Sequence, residues 1–223
     1  MTARGWLLVF GGIFATVIFL VVVVAIASGV GRNEVPDEER PLTAGERYVT
    51  DEFRPAFSFE AVGEGWFPDV EAAYVVALVE GFAARDGAIE FLNVEDFVVF
   101  DPSEPPGEAD SMPAPKDMAS WLQQHPYLDA EEAEPVRVGG VKGVYFDAVA
   151  TYLPKGYGNS VCPLGSPEGH EFCVSPVTKV RFILLEDVKG EPVTIMLWSR
   201  AVDFDEFLPR AQKLLKTVQW EDA

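Results

Sequence analysis

Two cysteines, Cys162 and Cys173, are the only cysteines of this 223-residue chain. They bound a loop rich in glycine and proline, CPLGSPEGHEFC. An even cysteine count predicts a disulfide in an oxidising compartment, and closing a loop of this size stabilises a fold by about 2–4 kcal/mol. A zinc site would need His170 from the same loop and a fourth ligand from elsewhere, and the spacing fits no familiar zinc motif. We therefore expect a disulfide, with free thiols or a metal site as the alternatives.

The two histidines and the many carboxylates suggest little catalytic chemistry. His125 falls on the apolar face of a predicted helix, and His170 is expected to be an exposed loop residue. The sequence contains no G-x-S-x-G, H-E-x-x-H, P-loop or G-x-G-x-x-G motif. Carboxylates cluster locally at three places: Asp69/Glu71, Glu95/Asp96 and Asp203/Asp205/Glu206. A carboxylate-dependent hydrolase needs two acids held across a cleft, so we expect no catalytic residues and no cofactor.

One aromatic pair is a candidate for ligand contact. Trp66 and Phe67 stand between a glycine turn and Pro68. Most aromatic side chains of a domain this size enter the core, and lining the opening of a groove is the alternative. With His125, these residues form the candidate groove that the sequence offers.

The N-terminus predicts a membrane segment. No charged residue occurs between Arg4 and Arg32, and Trp6 to Val30 is an almost unbroken apolar run. A span needs about 20 apolar residues, and Trp6 stands where interfacial aromatic residues are enriched. We predict that residues 1–31 form a single transmembrane anchor.

A cleavable signal peptide is the alternative for the same segment. Ala25, Ile26 and Ala27 before Ser28 fit a signal-peptidase pattern, but the apolar run is longer than a usual signal core. In both cases Arg4 keeps the N-terminus cytoplasmic and places the rest of the chain outside the membrane. The expected location is thus a cell membrane with an external domain, or secretion after cleavage.

The charge of the chain is concentrated after the anchor. One of the 17 basic residues, Arg4, and none of the 36 acidic residues precedes residue 32, so residues 32–223 carry a net charge of −20. Nucleic-acid binding needs a basic surface, so no nucleic-acid partner is expected. Residues 32–47 are polar and contain two prolines, which predicts a solvated linker.

Residues 48–223 predict an α+β domain. Alternating or apolar runs indicate six to eight strands, including two hairpins at residues 136–152 and 179–201. Helices are predicted after Pro115 and from Asp203, where Asp203 and Glu206 suggest a capping box. Pro209 conflicts with an uninterrupted terminal helix. The predicted architecture is a mainly antiparallel sheet flanked by helices, preceded by one transmembrane helix.

Three segments resemble PsbP-like domains. They are FSFEAVGEGW (57–66), PVRVGGVKGVYFDAVA (135–150) and VTIMLWSRAVDFDEFLPRAQKLLKTVQW (193–220). The resemblance covers about residues 50–220. The family that it points to includes small anchored or lipoprotein-type bacterial exported proteins. It implies an antiparallel sheet flanked by helices and, mostly, non-enzymatic binding or assembly roles. The absence of a lipid-attachment cysteine after the apolar run departs from the lipoprotein branch.

These observations lead to one expectation and two alternatives. The expectation is a membrane-anchored extracytoplasmic domain that binds a protein or small ligand without catalysis. The alternatives are an exported carboxylate-dependent hydrolase and an envelope assembly or stress accessory factor whose acidic face attracts a basic partner.

Overall fold

The computed structural model describes residues 32–36, 40–81, 87–102, 111–151, 153, 155–156 and 158–221. The predicted anchor, residues 1–31, lies outside this part of the chain. Among the residues described, none of the helices has the length and hydropathy to cross a bilayer. Asn33–Ala223 forms one compact unit.

The described part of the chain consists mainly of strands. In chain order these are β1 (Arg32–Glu34), β2 (Arg47–Val49), β3 (Phe57–Glu60), β4 (Trp66–Ala72), β5 (Val75–Glu80), β6 (Gly87–Asn93), β7 (Val98–Phe100), β8 (Ser111–Pro113), β9 (Leu128–Ala130), β10 (Glu134–Val138), β11 (Val141–Ala150), β12 (Val161–Gly165), β13 (Glu171–Val174), β14 (Thr178–Val188), β15 (Glu191–Arg200) and β16 (Gln219–Trp220). The helices are α1 (Met118–Gln123) and α2 (Phe204–Leu215).

The strands form three sheets. The central sheet has eight strands in the order β10-β11-β14-β15-β6-β5-β4, with β9 also paired to β11. Two four-stranded sheets have the orders β1-β2-β3-β16 and β13-β12-β7-β8. The pairs whose register the structure describes are all antiparallel. The antiparallel architecture predicted from the hairpins is confirmed.

The central sheet is buried on both faces. Along β14, Phe182 and Leu184 pack in one hydrophobic cluster, whereas Ile183 and Leu185 pack in another. Successive side chains of a strand point to opposite faces, so a strand that is apolar at nearly every position supplies two cores. We call these the α2-side core and the α1-side core, after the helix that packs in each.

Helix α2 covers one face with an amphipathic stripe. Its buried residues follow helical spacing: Phe204, Phe207, Ala211, Leu214 and Leu215. The Phe207 ring approaches β6 so closely that a Cβ on Gly87 would lie 2.5 Å from a ring carbon. Gly87 therefore permits the close packing of helix and strand.

The start of α2 differs from the predicted capping box. Asp203 is the N-cap residue, but its side chain makes no capping hydrogen bond, because its φ of −107° and ψ of −5° are helical rather than extended. Its carboxylate instead pairs with the Arg200 guanidinium at 2.6 Å. Pro209 lies inside the helix, which begins at Phe204 and continues past it to Leu215.

Part of the predicted linker packs on the domain. Residues 32–34 form β1, next to β2 in its sheet. Leu42 is 3% exposed in the α2-side core, and its backbone N–H donates to the Trp66 carbonyl at 2.8 Å. One apolar side chain in a polar segment is enough to fix that segment where a core site accepts it.

Candidate functional site

The structure does not assemble a groove from Trp66, Phe67 and His125. Trp66 is 1% exposed and its ring centroid lies 6.3 Å from that of Phe207, in the α2-side core. Phe67, the next residue of β4, is half-buried. Strand alternation points Trp66 inward, so Trp66 lies in the core, as expected for most aromatic side chains of the domain, and the alternative of a groove opening does not hold for it.

His125 lies on the other side of the central sheet. It follows the end of α1 and its ring packs 5.4 Å from Trp121 and 6.0 Å from Tyr127, both of which pack against the α1-side core. The Tyr127 N–H donates to His125 Nδ1 at 3.3 Å. Burial disfavours the charged imidazolium and lowers the pKa of His125 to about 4. His125 is thus a neutral, buried side chain, distant in the fold from Trp66.

A different groove lies between the central sheet and α1. Its volume is about 770 Å³, which is within the range of ligand-binding clefts. Three cross-strand neighbours contribute to its surface, Val144 of β11, Leu184 of β14 and Thr194 of β15. Leu184 is 6% and Thr194 1% exposed, so these side chains form a floor. We call this cleft the acidic groove.

Two loops and a helix start complete the acidic groove. One border is formed by Glu186 and Pro192, at the end of the β14–β15 hairpin. Another is formed by residues 114–119, which lead into α1, and a third by Val94 and Glu95 after β6. Ala114, Pro115 and Ala119 have small side chains, and only Met118 and Leu122 of α1 are buried. The helix start therefore packs lightly and leaves the cleft open.

Acidic side chains dominate the rim of this groove. Glu95, Asp117 and Glu186 line it together with Lys116, and all four are exposed. The Asp117 carboxylate accepts from the Ser120 N–H at 3.0 Å and the Ser120 hydroxyl at 2.7 Å. These hydrogen bonds lower the pKa of Asp117, so it stays ionised. The groove combines an apolar floor with a negative rim.

Glu95 also forms a carboxyl pair with Glu191. A hydrogen bond with Glu191 raises the pKa of Glu95, with smaller contributions from the charges of Glu191 and Asp96. Glu95 therefore takes up a proton more readily than an ordinary glutamate as the pH falls.

The cysteine pair is confirmed as a disulfide. Cys162 of β12 is bonded to Cys173 of β13. A Glu171 carboxylate oxygen and the two sulfur atoms lie within 4.8 Å of one another, but bonded sulfurs lack the thiolate that zinc binds. His170, exposed as predicted, lies with Nδ1 2.7 Å from the Tyr74 hydroxyl.

A small recess lies beside this disulfide. It has a volume of about 210 Å³ and is lined by Cys173, Ser160 and the face of the central sheet that carries Val180, Met196 and Trp198. The Trp198 indole N–H donates to Glu90 at 2.8 Å, which fixes the ring. We call it the disulfide recess.

Neither cleft was identified from the sequence. The acidic groove is lined by residues from five separate segments of the chain. Of these residues, only Glu95 belongs to a carboxylate cluster that the sequence indicates. The available signal was the run of Pro113, Ala114 and Pro115 shortly before α1, whose short side chains limit how tightly that segment packs.

The comparisons with known proteins concern the fold. The solution structure of cyanobacterial PsbP (CyanoP) from Synechocystis sp. PCC 6803 is similar over 81% of this chain and 95% of the cyanobacterial chain, with 11% sequence identity and a TM-score of 0.39. This cyanobacterial protein bears the name of the family that the three sequence segments resemble. No protein-family model matches the chain, and no curated protein matches it in sequence.

Proposed function

We propose that this chain is a membrane-anchored extracytoplasmic binding domain that acts without catalysis, and that the acidic groove is its ligand site. The observation that carries the proposal is the groove itself, with Leu184 and Thr194 on its floor and Glu95, Asp117 and Glu186 on its rim. An apolar surface flanked by a few charged groups is typical of ligand sites.

The groove favours a ligand that is both basic and apolar. Three carboxylates against Lys116 give the rim a negative charge, and the rim belongs to a segment, residues 32–223, whose total net charge is −20. Such a field attracts cations and repels anionic ligands and anionic lipid headgroups. The ligand we propose is a segment of a partner protein in which basic and apolar side chains alternate.

The membrane location rests on the first 31 residues. Their charge-free apolar run is long enough for one span, and Arg4 favours a cytoplasmic N-terminus. The disulfide is consistent with an oxidising compartment outside the cytoplasm.

The two alternatives use the same groove. An envelope assembly or stress accessory factor would differ only in the identity of the basic partner. For an exported hydrolase, the relevant observation is the raised pKa of Glu95 beside Glu191. Glycoside hydrolysis uses carboxyl groups about 5–9.5 Å apart across a cleft, whereas Glu191 is close enough to Glu95 to raise its pKa and does not line the groove. We therefore prefer the binding function.

A pair of matched peptides tests the proposal. The full chain in nanodiscs of zwitterionic lipid is titrated with a fluorescent Lys–Leu alternating hexapeptide and with its Glu–Leu counterpart. We expect saturable binding of the Lys–Leu peptide, weakening as ionic strength rises, and much weaker binding of the Glu–Leu peptide. Empty nanodiscs measure the contribution of the lipid. If the chain binds neither peptide above empty nanodiscs, or both equally, the proposed ligand chemistry is wrong.

A further inference from the structure

The two cysteines of the disulfide differ in exposure. Cys162 is 7% exposed, whereas Cys173 is an exposed residue. Thiol–disulfide exchange requires a thiolate to reach one sulfur, and access decides which sulfur is attacked. The exposed Cys173 is therefore the cysteine that an incoming thiol reaches more readily.

The disulfide recess gives that thiol a place to bind. Cys173 lines the recess, and Val180, Met196 and Trp198 supply an apolar wall on the central sheet. A volume of about 210 Å³ holds a molecule of a few heavy atoms. The reactive bond and a small binding site are thus adjacent.

Ser160 stands beside the sulfur that would leave. Its hydroxyl lies 4.0 Å from Cys162 Sγ. When Cys162 leaves as a thiolate it can only accept, so the Ser160 hydroxyl donates to it. A hydrogen bond to the developing anion lowers the cost of forming it.

Glu171 determines which thiols react. Its carboxylate lies within 4.8 Å of both sulfur atoms. A negative charge at that distance repels an anionic thiol and attracts a thiol that carries an amine.

We propose that Cys173 is a modification site that undergoes thiol–disulfide exchange with a small aminothiol bound in the disulfide recess. The aminothiol thiolate forms a new S–S bond with Cys173 Sγ as the Cys162–Cys173 bond breaks. The bonding pair leaves with Cys162 Sγ, which then takes a proton from solvent. The products are a mixed disulfide on Cys173 and a free thiol on Cys162, without net oxidation or reduction. This proposal does not depend on the acidic groove.

Peptide mapping tests the site and its preference. The full chain, oxidised and in nanodiscs, is treated with cysteamine or with 3-mercaptopropionate, quenched with an alkylating agent and mapped by mass spectrometry. We expect cysteamine on Cys173 and the alkyl group on Cys162. Rates compared per thiolate should favour cysteamine by about fivefold at low salt.

Three variants separate the contributions. Glu171→Gln should reduce the preference for cysteamine towards unity, whereas Glu64→Gln, the same charge change outside the cysteine loop, should leave it unchanged. Ser160→Ala should slow both thiols without changing their ratio. Three results would overturn the proposal. The first is an adduct on Cys162, and the second is an equal rate for the two thiols in the unmodified chain. The third is no exchange in the chain under conditions in which free cystine exchanges.

Discussion

His125 shows how burial sets the charge of a side chain in this domain. It is 5% exposed, and its Nδ1 accepts from the Tyr127 N–H, an arrangement available only to the neutral ring. Desolvation lowers the pKa of His125 from its ordinary value of 6.5 to about 4. The residue is therefore a structural group whose protonation opposes folding.

The stability of the domain should reflect this below neutral pH. Between pH 6.5 and about 4 the unfolded chain binds a proton at His125 that the folded chain does not, so the free energy of unfolding falls as the pH falls through that window. We expect wild type to lose about 2 kcal/mol more than His125→Gln between pH 7 and pH 4.5. Denaturant titrations at both pH values measure this. Because both proteins contain the same carboxylates, the difference between them isolates the contribution of His125. If the free energy of unfolding had the same pH dependence in wild type and in His125→Gln, the account would be contradicted.

Single residues were predictable from the sequence where local chemistry determines them. The pairing of Cys162 with Cys173 follows from cysteine count and compartment alone. The direction of Trp66 does not, because a strand residue beside a turn can point to either face until the partner strands are known. Trp66 packs against Phe207, which lies opposite Gly87. The residues around position 66 do not indicate this long-range contact.

At the scale of elements, close packing of α2 on β6 holds one face of the sheet. Phe207 fills the space that a side chain at Gly87 would occupy. Both residues belong to elements recognisable from the sequence, but their contact spans 120 residues of chain. The hairpins and the terminal helix were therefore predictable from local sequence. The pairing of the strands into three sheets was not, because it depends on contacts between residues far apart in the chain.

Gly87→Ala tests this packing. A Cβ 2.5 Å from the Phe207 ring must displace the ring or the helix, so we expect a loss of about 1–3 kcal/mol in the free energy of unfolding. Chemical denaturation measures it. The double variant Gly87→Ala/Phe207→Leu should lose less than the sum of the two single variants. Simple additivity would show that the ring and the strand are not in contact.

At the scale of the whole molecule, the sequence gives the total charge, and the structure gives the location of the charged and apolar side chains. The −20 charge of residues 32–223 was visible in the sequence, but the location of Glu95, Asp117 and Glu186 around an apolar floor required the fold. The predicted linker illustrates the same limit, since Leu42 becomes core only because the domain offers it a site next to Trp66. Composition predicts which partners are repelled, and packing determines where a partner binds.

The anchor makes a separate prediction for the chain in cells. If residues 1–31 remain attached, the full-length protein expressed in a bacterial host should resist alkaline carbonate extraction from membranes. Its intact mass should include the apolar segment. A soluble extracellular form whose N-terminal sequence begins at Ser28 would instead establish the signal-peptide alternative.

The central claim is that the acidic groove binds a basic, apolar segment, and one comparison of dissociation constants tests it most directly. The Lys–Leu hexapeptide is titrated against wild type, the groove variant Glu95→Gln/Glu186→Gln and the control Glu34→Gln/Glu64→Gln, which removes the same charge outside the groove. We predict that the groove variant binds about threefold to tenfold more weakly at low salt and that the control binds like wild type. Equal weakening in both double variants would show that only net charge matters, and unchanged binding in the groove variant would contradict the account.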